Sequence, residues 1–254
     1  MRYFFHIGYL GSKYSGWQEQ HNAPRTVQAA LREAVERVFE SEVILGGSGR
    51  TDAGVHALGQ VAHLRGQPRR RFSDAQIFTD LNELLPADIA VLDLRPAVAR
   101  FHARHDALSR TYLYRITTRK SAFSKKSAWW VKDVLDSAAM AQAARRLVGR
   151  HDFRHFRAAD PARADESTLV VVESALVETF DARIEFRITA SHFLWRMVRR
   201  IAGALVQIGK GSLRLEQFDQ LLSAKSCVRL PVSEWTAPAA GLYLESVRYP
   251  PGLF

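Results

Sequence analysis

Apolar residues along this chain switch repeatedly between strand spacing and helix spacing, and no other property of the sequence limits the fold so tightly. Residues 2–8 alternate as a half-buried strand does, and Gly11-Ser12-Lys13-Tyr14-Ser15-Gly16 reads as a loop. From Thr26, a predicted N-cap, Val27, Ala30, Leu31, Ala34, Val35 and Val38 recur at helical spacing as far as Phe39. Short strands are predicted at 43–45 and 60–64 around a Gly-rich loop, then a helix at 74–85 and a strand at 89–95. The second half follows with a strand at 111–117, a helix at 136–147 and a hairpin of 169–178 and 182–190. Helices at 193–208 and 215–222 and a last strand at 241–249 close the chain, while 157–167 reads as a loop. Intermixed strands and helices predict the α+β class, divided near residue 105 into segments 1–105 and 106–254.

Charge narrows the partners. The 254 residues carry 36 Lys and Arg against 26 Asp and Glu, a net charge of +10, which suits phosphate backbones or anionic surfaces. The first 106 residues are near balance, with 13 basic and 12 acidic side chains, so the second half supplies most of the field with 23 and 14. The longest apolar run, Ile201 to Ile208, is interrupted by Gly203 and Gln207 and flanked by Arg200 and Lys210. That is far short of the ~18 or more apolar residues of a membrane span, so nucleic acid rather than lipid is the expected partner. A single cysteine, Cys227, and the absence of a charged-then-apolar leader after Met1 predict a cytoplasmic protein without an internal disulfide.

One stretch concentrates chemistry: Gly46-Gly47-Ser48-Gly49-Arg50-Thr51-Asp52-Ala53-Gly54-Val55-His56. No Gly-Lys-Ser/Thr follows, which excludes a Walker loop, and Asp52 stands where a dinucleotide fingerprint needs its third glycine. The glycines let backbone approach a ligand, and Arg50 supplies a cation that favours an ionised Asp52, a potential nucleophile. On residue types alone, Thr51-Asp52 reads first as an Asx or Ser/Thr turn between strands.

Two other features admit two readings each. At ~100° per residue, Arg196, Arg199, Arg200, Gly203 and Gln207 fall on one face of the predicted 193–208 helix, opposite Leu194, Met197, Val198, Ile201, Leu205 and Ile208. That basic stripe is either a solvated face or an RNA contact, and Gly203 in its middle favours a close approach, since glycine there costs ~1 kcal/mol against Ala. Tyr112 and Tyr114 share a face of the 111–117 strand, where an aromatic can stack an unpaired base or simply pack the core. The basic runs Arg69-Arg70-Arg71 and Lys125-Lys126, the latter near Trp129 and Trp130, fit phosphate contacts as well as plain exposed loops.

Gly-Arg-Thr-Asp-Ala-Gly-Val-His, residues 49–56, resembles the active-site signature of the tRNA pseudouridine synthase A family, and Val61-Ala62-His63 follows where that family has a strand. The resemblance extends in order through Gly11 to Gln18, Arg25-Thr26-Val27-Gln28, Phe101-His102-Ala103-Arg104, Met197-Val198-Arg199 and Ala237 to Tyr243. It implies a pseudouridine synthase fold: two similar α/β halves, a central mostly antiparallel mixed sheet flanked by helices, and a basic cleft between the halves. It implies that Asp52 is the catalytic carboxylate, Arg50 helps displace the target base, Tyr112 stacks on the uracil and Arg199 pairs with Asp52. Thr51, Arg196 and Arg200 are the further substrate-binding candidates. The implied reaction is isomerisation of uridine to pseudouridine in the tRNA anticodon stem-loop, family positions 38–40, by a homodimer. No cofactor or metal is expected, because the reaction gains and loses no atoms. The pairs His102/His105 and His151/His155 have spacings that could bring imidazoles together, but the thiols of a zinc deaminase are missing. The competing class is a non-catalytic RNA-binding protein or RNA chaperone on the same scaffold.

The chain departs from the family pattern at Leu10, at His105-Asp106 and at Glu166-Ser167-Thr168. None of these is a catalytic candidate, so activity is expected to survive while preference among tRNA sites differs.

Overall fold

The computed structural model describes residues 1–20, 25–159, 166–223 and 228–254, so Cys227 and most of the loop predicted at 157–167 lie outside the described residues. The chain forms two compact units, Met1–Leu108 with Tyr243–Phe254, and Ser109–Leu242.

In the first unit β1 (Arg2–Tyr9) runs antiparallel between β3 (His56–Arg65) and β4 (Ile89–Pro96). On its other edge β3 pairs antiparallel with β2 (Ile44–Gly47) through residues 62–65 and parallel with β10 (Leu242–Arg248) through His56 and Ala57. That parallel pairing brings the last strand, read by sequence order into the second segment, to the first unit. Helix α1 (Val27–Phe39) starts where Thr26 is extended and its hydroxyl accepts the Ala29 N–H, and it ends as Glu40 turns left-handed at φ 52°. Val27, Leu31, Ala34, Val35, Val38 and Phe39 are its buried stripe, each large apolar side chain contributing about 1.5–3 kcal/mol on burial. Tyr3 and Phe5 meet this layer, with the Tyr3 ring edge-on to Phe39. Helix α2 (Asp74–Leu84), capped by Ser73, is tied to β4 by Asn82, whose side-chain amide bonds both the N–H and the carbonyl of Val91. The other sheet face is closed by Phe4, Val61, Phe101, Ala103 and Leu253, with Phe254 stacked on Phe4 at 3.9 Å.

The second unit is an antiparallel ladder of β5 (Ser109–Thr117), β9 (Arg183–Ala190), β8 (Leu169–Phe180) and β7 (Gly149–Asp152), with β6 (Trp129–Trp130) parallel to β5. Helices α3 (Ser137–Arg145), α4 (Met197–Gly209) and α5 (Leu215–Leu221) complete it. Across from the helices, Glu185 is 4% exposed and is held by Arg115, Arg183 and Arg187 at 3.3, 3.2 and 2.8 Å. The α+β class and the mostly antiparallel, mixed pairing agree with the sequence reading.

Helix α4 starts four residues later than its apolar spacing predicts. Arg196 is left-handed at φ 59°, the Met197 N–H bonds the Leu194 carbonyl, and the Trp195 carbonyl accepts the Ala158 N–H, so residues 193–196 form a turn. Arg196 is therefore an N-cap residue rather than part of the helical stripe. Gly203 is buried, and a Cβ there would lie 1.7 Å from the Trp235 carbonyl oxygen. The close approach its missing side chain permits is that of the chain's own backbone, which corrects the reading of Gly203 as a sign of approach by RNA.

Candidate active site

Asp52 sits in the 48–55 loop between β2 and β3, and almost everything under it is pinned. Ser48 donates its N–H to the Val61 carbonyl and its hydroxyl to Gln60 Oε1 at 2.6 Å, while Gln60 Nε2 donates to the Gly49 carbonyl. Thr51 is buried, its hydroxyl 2.8 Å from the Tyr9 phenol and its carbonyl accepting the Trp17 N–H at 3.1 Å. Burial pushes the Tyr9 pKa up to about 12, so this contact joins two neutral hydroxyls. The Val55 N–H closes a turn onto the Asp52 carbonyl, with Gly54 at φ 79° where only glycine is unstrained.

The 11–17 segment, which the sequence reads as a loop, is the second wall of this loop. A Cβ at Gly11 would lie 1.8 Å from the Val55 carbonyl oxygen, one at Gly16 2.5 Å from that of Thr51, and one at Gly47 2.5 Å from Trp17 Nε1. The Gly11 N–H donates to His56 Nδ1, and the His56 ring stacks on Tyr243 at 4.7 Å. Two backbones, 11–16 and 51–55, thus meet too closely for any side chain between them, with the Trp17 ring packed on Gly47, beside a half-buried Asp52 and an exposed Arg50. Backbone held at this density presents a carboxylate in one geometry, the condition for nucleophilic work.

Four of the predicted site residues lie in the second unit: Tyr112, Arg196, Arg199 and Arg200. Tyr112 is half-buried on β5, edge-on to Phe193 at 5.0 Å, whereas Tyr114 on the same face is buried and donates its hydroxyl to the Pro238 carbonyl. Tyr114 is therefore a core residue and Tyr112 is the tyrosine left accessible. Arg199 donates Nε to the Ala237 carbonyl at 2.7 Å, and the Ala237 N–H returns to the Arg199 carbonyl. Arg200 donates to the Arg157 carbonyl, and burial together with Arg196 lowers its pKa from the usual guanidinium range. The Arg196 guanidinium lies 4.9 Å over the Trp195 ring. Three arginines in the first turn of a helix oppose its dipole, an arrangement that costs stability in the absence of an anion and attracts one.

The departures from the family pattern acquire local reasons. Asp106 Oδ2 accepts the His102 N–H at 2.7 Å and its own N–H returns to the His102 carbonyl, so it closes the turn that carries Arg104. His102 and His105 do come together, with ring centroids 4.2 Å apart, and His63 stacks beyond at 4.4 Å from His102. Their nitrogens are engaged in the fold: His63 Nδ1 accepts the Ala103 N–H, and His102 Nδ1 those of Arg104 and His105. Among the described residues no group of three or more His, Cys, Asp or Glu is arranged to hold a metal. His151 bonds the Val148 carbonyl, and Arg70 of the 69–71 run pairs with Glu40 at 2.6 Å. No helix among the described residues is long and apolar enough to cross a membrane.

A family model described as tRNA pseudouridine synthase matches residues 7–106 and 143–250. The chain belongs to the tRNA pseudouridine synthase family. It is similar to the tRNA pseudouridine synthase A of Maricaulis maris, 38% identical over 253 residues and 98% of each chain. The enzyme of the same name from Rhodospirillum rubrum is 40% identical over 253 residues, covering 98% of this chain and 88% of that one. That from Xanthobacter autotrophicus is 40% identical over 250 residues, covering 98% and 99%. Asp52 and the arginines of α4 fall within the spans the family model matches, while Tyr112 lies between them. Tyr9, Gln60 and Ser48, which brace the family's signature loop here, were not singled out by sequence. Their partners are as many as 42 residues away, and Gln60 alone, a polar residue amid the apolar spacing of its strand, could have marked them.

Proposed function

We propose that this protein isomerises uridine to pseudouridine in tRNA, at the anticodon stem-loop positions 38–40 that the family resemblance implies, with Asp52 as the catalytic carboxylate. The observation that carries the reading is the contrast between two neighbours. Thr51 is buried and bonded through both side chain and carbonyl, while Asp52 beside it is only half-buried on the same pinned loop. A loop serving only as a connection between β2 and β3 gains nothing from two glycines, Gly11 and Gly16, packed directly against its backbone.

The reaction breaks the bond from ribose C1′ to uracil N1, turns the base, joins C1′ to C5, loses the C5 proton and gains one at N1, so atoms and electrons balance with no cofactor. The target uridine leaves its stack at a cost of a few kcal/mol. Asp52 supplies the electron pair that forms the covalent adduct, at the sugar or at the base. Arg50 occupies the place of the displaced base, Thr51 holds the loop, and Tyr112 stacks on the uracil and accepts its proton. Arg199 provides the counter-charge for Asp52, and Arg196 and Arg200 bind phosphates. In this reading the segments 1–105 and 106–254 act as a catalytic-loop part and a base- and phosphate-holding part, the protein works as a homodimer, and it is cytoplasmic.

The test is Asp52→Asn assayed on unmodified tRNA without divalent metal, with pseudouridine mapped by position. Conversion is expected to fall by ~10³-fold or more while tRNA affinity stays within a few-fold, the signature of a group acting only in the reaction. Near-wild-type turnover would remove Asp52 from the mechanism, and binding without conversion by the wild type would leave an RNA-binding protein.

A further inference from the structure

Residues 118–132 lie between the two spans that the family model matches. Arg119, Lys120, Lys125, Lys126 and Lys132 fall in this stretch, and no carboxylate does. The segment leaves β5, turns, and returns as β6 at Trp129–Trp130. The turn is built rather than slack: the Ser124 carbonyl accepts the N–H groups of Ser127 and Ala128 at 2.9 Å, and the Ser124 hydroxyl donates to the Ser121 carbonyl. At its base Thr117 donates its hydroxyl to the Arg119 carbonyl and accepts the Val131 N–H.

Within this turn Phe123 is 98% exposed. A phenylalanine held clear of every neighbour by a hydrogen-bonded turn leaves both ring faces to solvent, a state that a serine there would avoid. Trp130 nearby is partly exposed, with the Lys120 ammonium 5.3 Å from its ring centre. Arg119 faces Asp181 at 3.5 Å and Lys210 pairs with Asp133 at 2.6 Å, both at the foot of the segment. Lys120, Lys125 and Lys126 form no ion pair with the described residues, whereas Lys132 shares Asp133 with Lys210. Cations without counter-ions within three residues of an exposed aromatic ring match a polyanion that offers flat apolar faces, which is RNA with an unstacked base. An anionic membrane would share the charge but needs a broad apolar face, and here a single phenylalanine projects.

We propose that residues 119–132 form an RNA-binding arm in which Phe123 stacks on an unpaired base and Lys120, Lys125 and Lys126 neutralise the phosphates beside it. The inference rests on the reading of tRNA as substrate and adds to it a contact outside the residues assigned to the reacting uridine.

Binding of fluorescent unmodified tRNA to the Asp52→Asn protein, titrated at several salt concentrations, tests the arm without turnover. Phe123→Ala is expected to weaken binding about tenfold with the salt slope unchanged, and Phe123→Trp to restore it. Lys125→Ala with Lys126→Ala is expected to lower the salt slope by about 1.4 to 1.8, one phosphate per lysine. A photo-crosslinking aromatic residue at position 123 is expected to attach to tRNA. The proposal is overturned if Phe123→Ala binds within twofold of its parent and position 123 does not crosslink. It is equally overturned if these variants lose binding to phosphatidylglycerol vesicles while tRNA affinity is unmoved. The two readings fail separately: full conversion by the wild type with an indifferent Phe123 refutes only the arm. No conversion by the wild type, with affinity still lost in Phe123→Ala, refutes only the isomerase.

Discussion

The 48–55 loop and the 119–128 turn both join neighbouring strands, yet they are made on opposite plans. The first is held by partners outside it: Tyr9, Gln60, Trp17 and Val61 all bond it, and Gly11 and Gly16 bring the backbone of their segment against it. The second is closed mainly by its own serines, and its largest apolar side chain is bare to solvent. A carboxylate that must attack one atom works only if its position is held to a fraction of an ångström, whereas a cation that captures phosphate acts over ~8–10 Å and gains from reach. Rigidity is concentrated where the proposed bond-making is, and charge where capture is.

The largest effect that sharpens this contrast is expected from Gly11→Ala. The added methyl carbon would lie 1.8 Å from the Val55 carbonyl oxygen, so the backbone three residues beyond Asp52 must move. A displacement near 1 Å at a reacting group costs ~10²-fold in rate, and we expect kcat to fall by that order with the tRNA dissociation constant within a few-fold. Steady-state kinetics beside a binding titration read the split. Loss of affinity with kcat intact would break the division between a positioned loop and a capturing arm.

The bracing region also contains histidines, which the arm lacks. His63 lies under Gly46 of β2 with the His102 ring tilted against it at 4.4 Å, and burial together with His102, Arg2 and His105 lowers its pKa to about 4 against the opposing pull of Asp106. Free imidazole titrates near 6.5, so between those values the unfolded chain binds more protons than the folded one and stability rises with pH. This contribution is complete above about 6.5 and is lost as pH falls toward 4, roughly 2–3 kcal/mol in all. The lowered pKa of His102 acts in the same direction. Urea midpoints at pH 7.5 and 5 should differ accordingly, and His63→Asn, whose amide oxygen can still accept the Ala103 N–H, should flatten the difference. An unchanged slope in that variant would place the pH sensitivity elsewhere.

How much of this was legible in the sequence follows from the range of each interaction. Helix α1 matches its predicted bounds because the Thr26 cap and the apolar stripe are local, and β5, β8 and β9 emerge from alternation for the same reason. β6 and β7, two and four residues long, are too short to show a period. β3 begins at His56 rather than residue 60, where Gly59 breaks the alternation because the Glu245 carbonyl occupies the place of a side chain. The start of α4 was missed since apolar spacing continues through residues 193–196 while the backbone turns left-handed at Arg196. Asp52 stood out through its glycines, but two of them, Gly46 and Gly47, are required by the rings of His63 and Trp17, which lie 17 and 30 residues away, a distance that spacing does not encode.

The smallest expected effect is also the most specific. Tyr9→Phe removes the hydroxyl that Thr51 shares with Gln60, leaving a buried hydrogen bond unmade at a cost of ~1 kcal/mol. If that bond serves merely to stabilise the fold, thermal stability falls and kcat does not. If it holds the loop, kcat also falls, by about fivefold, with the tRNA dissociation constant unchanged. Thr51→Val should reproduce the loss and Thr51→Ser, which keeps the hydroxyl, should avoid it. The double variant Tyr9→Phe with Thr51→Val should be no slower than either alone, because both delete one shared interaction. Additive losses in kcat would mean that the two hydroxyls act independently, and the loop would then owe its rigidity to the glycine contacts rather than to the polar network beneath it.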